Sequence, residues 1–302
     1  MDAPALARSR WQLALAPLIG LGAALGALTA NSAPLAVASL AVVGALAGYC
    51  SSVSPRFAIA GLNVALSLLI TQGLPVSAGD AGAALLFGTL GGLAQAAFSL
   101  AVYAAGERQR DEGPNRWNRP AAIAALRGNL TARSQSFQHG LRLGLALGLG
   151  VAAYWLLGFS EHGFWIPLTV LFVLRPDYDT TFDRLVLRAV GTLVGLVIAT
   201  ALSEWLVGDD VAIAVVLTVA TGFAYGMLTV QYAMFTLSIT TYAVLLADTL
   251  GDPALPDAEQ RGLATLVGIA ITFALFLLWP SPEGVESGWG RFVSWARGRR
   301  LR

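Results

Sequence analysis

Lysine is missing from this 302-residue chain; all nineteen of its basic residues are arginine. With no lysine there is no phosphate-binding glycine loop ending in Lys-Ser/Thr, which excludes an ATP-driven pump of the usual kind for this chain by itself. The lone Cys50 excludes an intrachain disulfide and any cysteine-only metal site. His139 and His162 are the two histidines, and neither H-E-x-x-H nor G-x-S-x-G occurs. The expectation is therefore a protein that is not an enzyme, with no cofactor and no metal. Charge is scarce as well, at 12% of residues, about half the share of an average soluble chain. The net charge is +1 and the arginines are spread over short segments, so a nucleic-acid partner is not expected.

What is present is apolar. Hydrophobic residues make up 56% of the chain and its mean hydropathy is strongly positive. The fold class expected is all-α: a polytopic membrane helical bundle of about ten segments, with the lipid bilayer as its first partner. The amino-terminal run through Thr29-Ala30-Asn31 imitates a signal peptide but is long enough to span, and is read as an uncleaved first helix. Further segments lie near 34–50, 57–74, 81–105, 138–158, 163–174, 185–206, 211–229, 232–248 and 262–279.

A polar, basic stretch from Gly106 to Phe137 reads as a cytoplasmic linker with one short helix after Pro120. It divides the chain into a first membrane repeat (1–105, four segments), the linker (106–137), a second repeat (138–280, six segments) and a basic cytoplasmic tail (281–302). LIGL at 18–21 matches LVGL at 193–196, Gly44/Gly48 match Gly222/Gly226, and Gly91 matches Gly268. These offsets suggest two diverged parallel repeats, the first lacking a counterpart of 138–174. With the amino terminus in the cytoplasm, eighteen of the nineteen arginines fall inside and only Arg261 outside. The positive-inside rule thus puts both termini in the cytoplasm. Glycines four apart recur at 22/26, 44/48, 88/92, 140/144/148, 191/195 and 222/226, as seams for close helix packing.

The densest stretch is Glu161 to Gly195, EHGFWIPLTVLFVLRPDYDTTFDRLVLRAVGTLVG. Its apolar segment 163–174 is too short for a full span and contains Pro167, the sort of interrupted segment that points to a transport site. In the helix that follows, Arg184, Arg188, Gly191 and Gly195 fall within one narrow stripe, at about 100° per residue. Arginines that share a face with a glycine seam should look into protein rather than lipid. Thr180 or Thr181 is the expected N-cap, with Asp183 in the first turn.

Trp165, Thr169, Arg175-Pro176, Thr181, Arg184, Arg188 and Gly191-Thr192 also carry a resemblance. The run is similar to the signature of the FUSC (fusaric acid resistance protein-like) family, the integral membrane transporter domain of the aromatic acid exporter group, and is densest from Leu141 to Trp279. That resemblance implies a multi-pass protein of the bacterial inner (plasma) membrane engaged in efflux.

The candidate substrate-binding set is Arg175, Asp177, Thr181, Arg184 and Arg188 with Trp165 and Thr169. Guanidinium groups would receive a small organic anion such as an aromatic carboxylate. The structural alternative is that arginines and aspartates neutralise each other in a tight inner loop, Trp165 belongs to an interfacial belt, and the threonines bond their own helices. Glu161, His162, Glu204 and Asp248 are candidates for ion coupling, or are solvated polar groups. The line Arg261, Thr265, Gly268 and Thr272 forms a second polar stripe, lining a cavity or packing on a neighbour. The function expected is a secondary transporter exporting aromatic or other organic anions. A gated organic-anion channel and a non-transporting membrane scaffold or regulatory subunit are the alternatives. A homo-oligomer or a periplasmic efflux partner would be the protein partner.

Overall fold

The computed structural model describes residues 3–104, 119–159, 163–227, 230–249 and 254–279. Among them the chain forms eleven α-helices and one 3-10 turn, Ala78–Asp80, and no strand. Eight helices are long and apolar enough to cross a membrane. Two of the ten expected segments fall outside that set for opposite reasons. The 163–174 segment forms a helix of nine residues only, and the 232–248 segment is diluted by Thr236, Ser238, Thr240 and Thr241.

The chain divides into two compact units, residues 1–152 and 153–302. The first holds α1 (Ala3–Thr29), α2 (Ala33–Cys50), α3 (Pro55–Gln72), α4 (Ala81–Ala104), α5 (Arg119–Asn129) and α6 (Gln135–Leu157) as far as Ala152. Proline starts two of these helices, Pro34 in α2 and Pro55 in α3, where a missing N–H costs nothing. The linker helix α5 has Pro120 in its first turn and is tied to α2 by the Tyr49 hydroxyl, which donates to the Leu126 carbonyl. Most glycine seams are used. A β-carbon at Gly48 would stand 2.7 Å from Gly140 Cα of α6, and one at Gly88 of α4 would stand 2.9 Å from Gly20 Cα of α1. Buried Gln72 binds the three amino-terminal helices, donating to Thr29 Oγ1 at 2.8 Å and Ser39 Oγ at 3.0 Å.

The second unit begins with the end of α6 and holds α7 (Trp165–Val173), α8 (Tyr178–Trp205), α9 (Asp210–Met227), α10 (Tyr232–Thr249) and α11 (Ala254–Leu278). Pro167 sits in the first turn of α7, so the proline sets the start of a short helix rather than breaking a longer one. The helix expected from Thr180 or Thr181 starts earlier. Asp177 is its N-cap, accepting from the Thr180 N–H at 2.8 Å, and Asp183 therefore lies in the second turn and is exposed. Asp177 competes better for the cap because its carboxylate reaches the N3 amide from an extended backbone.

On α8 the stripe Thr181, Leu185, Arg188, Gly191, Thr192, Gly195 and Ala199 is buried, and Arg184 is half-buried. The glycines of that stripe dock α10. A β-carbon at Gly191 would stand 2.6 Å from the Ala233 carbonyl oxygen, and one at Gly195 would stand 2.7 Å from that of Leu237. The Gly222/Gly226 pair of α9 behaves differently, with no atom near either position. There Val211, Val215, Val219 and Phe223 face outward as a continuous apolar row suited to lipid. Gly191→Leu should therefore lower the melting temperature of the detergent-solubilised protein, by an overpacking cost of about 1–3 kcal/mol or more. Gly222→Leu should leave it unchanged, and equal melting temperatures for the two variants would contradict this packing.

Candidate functional site

The site is built around the two ends of α7. A helix that stops inside a bundle leaves its last carbonyl oxygens without intrahelical partners. Here the Phe172 carbonyl accepts from two guanidinium groups, Arg175 Nη2 at 3.3 Å and Arg184 Nη1 at 3.2 Å. The positive charges also face the negative end of the α7 dipole. Thr181 fixes the turn between the helices. Its Oγ1 accepts the Arg175 N–H at 3.0 Å and donates to the Asp177 carbonyl at 2.7 Å and the Arg175 carbonyl at 3.2 Å. Burial, joined by the neighbouring Arg184 charge, brings Arg175 down to about 10, with Tyr232 and Asp177 acting in the other direction. Arg175 thus keeps its charge at neutral pH.

Aromatic rings surround these guanidinium groups. Arg184 Cζ lies 4.7 Å from the centre of the Tyr232 ring, a cation–π distance. Phe235 packs 5.8 Å from both Phe172 and Tyr232, and Ala224, Leu187, Met227 and Ile239 close the cluster. One helical turn further along α8 is Arg188, which is 2% exposed and whose Nε has no hydrogen-bond partner. The same holds for the buried hydroxyls of Thr192, Tyr232 and Thr240, and for Arg175 Nε. Buried polar atoms are nearly always satisfied. Unsatisfied donors at Tyr232 and Arg175, in and beside the aromatic cluster, make a place suited to an anion with an apolar body.

At the other end of α7 stands Trp165. Its ring lies under Arg261 of α11, with Cζ at 3.4 Å from the ring centre. Arg261 is 1% exposed and its Nη2 donates to the Ile239 carbonyl at 3.4 Å, so it is a core residue rather than part of an outer loop. Thr169 is fully buried against Gly268, whose β-carbon would stand 2.8 Å from Thr169 Cβ.

The expected site residues thus separate. Arg175, Thr181 and Arg184 come together at the end of α7 and Arg188 lies one turn further along α8, while Asp177 is exposed and caps that helix. Trp165 and Thr169 lie on the α11 side of α7. Of the coupling candidates, Glu161 and His162 lie outside the described residues, and Glu204 is exposed. Asp248 accepts from Ser203 Oγ at 2.7 Å, joining α10 to α8. Among the described residues no group of three or more His, Cys, Asp or Glu is placed to hold a metal ion. Tyr232 and Thr240 were not legible as site residues; their signal was the run of hydroxyls in α10. The signal for Arg261 was its stripe with Thr265, Gly268 and Thr272.

Apolar spans on both sides of a polar interior define a multi-pass helical membrane protein. In the carboxy-terminal stretch, residues 145–275 match the family model described as fusaric acid resistance protein-like. The chain is 37% identical over 153 residues to the inner membrane protein YccS of Escherichia coli K12, covering 50% of this chain and 21% of the relative. It is 34% identical over 154 residues to the uncharacterized protein slr1298 of Synechocystis, covering 50% and 20%. An uncharacterized protein, ORF2, of Neisseria gonorrhoeae is 27% identical over 157 residues, covering 52% and 37%. The chain thus spans about a fifth of the length of the first two relatives and about a third of the third. No solved structure matches it.

Thr181→Val should destabilise the protein by about 1–2 kcal/mol, because the Arg175 N–H loses its acceptor. Asp177→Ala should cost about 1 kcal/mol through loss of the cap. Denaturant titration of both variants in detergent checks these values, and two neutral substitutions would mean that the turn is not held as described.

Proposed function

We propose that this chain forms the membrane-embedded path of a secondary transporter that exports small organic anions, aromatic carboxylates among them, across the bacterial inner membrane. The observation that carries the proposal is Arg188, buried with Nε unpartnered, one turn along α8 from Arg184, which itself lies over the Tyr232 ring of the aromatic cluster. Arg175 and Arg184 already serve the α7 carbonyl end, which makes Arg188 the group with most to gain from a carboxylate. A guanidinium fork fits a carboxylate in two parallel hydrogen bonds, and the rings receive the apolar body.

On this reading both termini are cytoplasmic, as the arginine distribution favours, and the Arg175/Arg184/Arg188 end of the second unit faces the cytoplasm. Release outward would follow movement of α7, the shortest of the second unit's helices. The family match and the inner membrane relative support a transporter-like role. The whole protein's substrates and partners belong to the same proposal, because the relatives are several times longer than the aligned part.

Arg188→Gln should abolish benzoate flux in proteoliposomes while the protein remains folded and inserted. Unchanged flux would remove the site assignment. Single-channel current steps in a planar bilayer would replace the carrier by a channel. Complete inactivity of the wild type against a panel of organic anions would favour a non-transporting subunit. Reporter fusions at each terminus test the orientation, and a periplasmic signal from either would overturn it.

A further inference from the structure

The basic interior of the second unit does not end at Arg188. Along α7, Trp165 and Phe172 are seven residues apart, as are Ile239 and Tyr232 along α10, which is about 10 Å in each helix. Arg261 meets Trp165 and Ile239, whereas Arg184 meets Phe172 and Tyr232. Two guanidinium sites, Arg261 buried and Arg184 half-buried, therefore flank the short helix, one at each end, at the same separation on two independent helices.

The Arg261 end has the makings of a ligand site. Trp165 Nε1 and the Oγ1 of fully buried Thr169, one turn apart on the α11 side of α7, have no hydrogen-bond partner. On α11, Gly268 lets α7 come close: a β-carbon there would stand 2.7 Å from the Ile166 carbonyl oxygen and 2.8 Å from Thr169 Cβ. A guanidinium stacked on an indole, beside an unused indole N–H and an unused hydroxyl, presents three kinds of donor and an aromatic face. We infer that Arg261, Trp165 and Thr169 form a second anion station, which takes the carboxylate of an organic anion about 10 Å beyond the Arg184 cluster. In this structure the Trp165 face holds the guanidinium; an arriving carboxylate competes with the ring for it and is joined by the indole N–H. The inference rests on the proposed anion transport and adds a site at which the anion pauses before leaving.

The test is equilibrium binding of radiolabelled benzoate to the full chain in lipid nanodiscs, with folded fraction followed by thermal melting. Wild type is expected to bind two benzoates per chain, Arg261→Gln one, Arg188→Gln one, and the double variant none. Should Arg261→Gln not fold, Arg261→Lys and Trp165→Phe decide. The lysine variant loses the fork and the stacking plane and should weaken one of the two sites about tenfold. The phenylalanine variant keeps a ring but loses the N–H and should weaken the same site about threefold. Two sites of wild-type affinity in both variants would overturn the second station and leave the transport proposal standing. No benzoate binding by wild type would overturn both.

Discussion

The second unit depends on two guanidinium groups sharing the carbonyl oxygen of Phe172. A nine-residue helix is about 13.5 Å long, under half the thickness of a hydrocarbon core, so at least one of its ends must lie where water is scarce. Its orphan carbonyls then need donors from the protein, and the next helix supplies them. That requirement explains why α8 follows after a turn of four residues, why Thr181 ties the turn to Asp177 and Arg175, and why arginine stands in the second and third turns of a membrane helix. Burying those charges is tolerable because each meets a dipole end, a carbonyl or an aromatic face.

Close backbone approach makes the rest possible. Gly191 and Gly195 let α10 lie directly on α8, and the hydroxyls of α10 face inward as a result. Thr236 satisfies its own helix at the Tyr232 carbonyl, and Thr241 reaches the Gly195 carbonyl at 3.3 Å, but Thr192 and Thr240 keep unpaired oxygens. In the first unit the same small-residue device gives a different interior. Its α1, α2 and α3 line an apolar cavity of about 410 Å³ with Trp11 and Phe57 in its wall, and Gln72 joins those three helices by neutral hydrogen bonds.

Helix existence was legible nearly everywhere, because long apolar runs punctuated by Pro34, Pro55 and Gly208 leave few choices. So was the inward stripe of α8, since 100° per residue settles which side chains share a face. What could not be read was competition among near neighbours. Asp177, Thr180 and Thr181 are all competent caps, and only the backbone conformation decides that Asp177 takes the role and Thr181 becomes the hub of the turn. The stripe of Arg261, Thr265, Gly268 and Thr272 was legible, but its partner was not: Trp165 stands nearly a hundred residues earlier in the chain, and periodicity cannot pair the two. Likewise the glycines at 222 and 226 have the same spacing as those at 191 and 195, yet only the second pair meets another helix.

The shortness of α7 has an electrical consequence. Where polar groups and fixed charges penetrate from both ends of a half-length helix, the insulating layer is locally thinner than the surrounding lipid, and the membrane voltage falls across less distance. An ion travelling beside α7 would then feel most of that voltage within a few residues, close to Thr169 in the middle of the helix. A small displacement of that stretch would then move charge through a large fraction of the field.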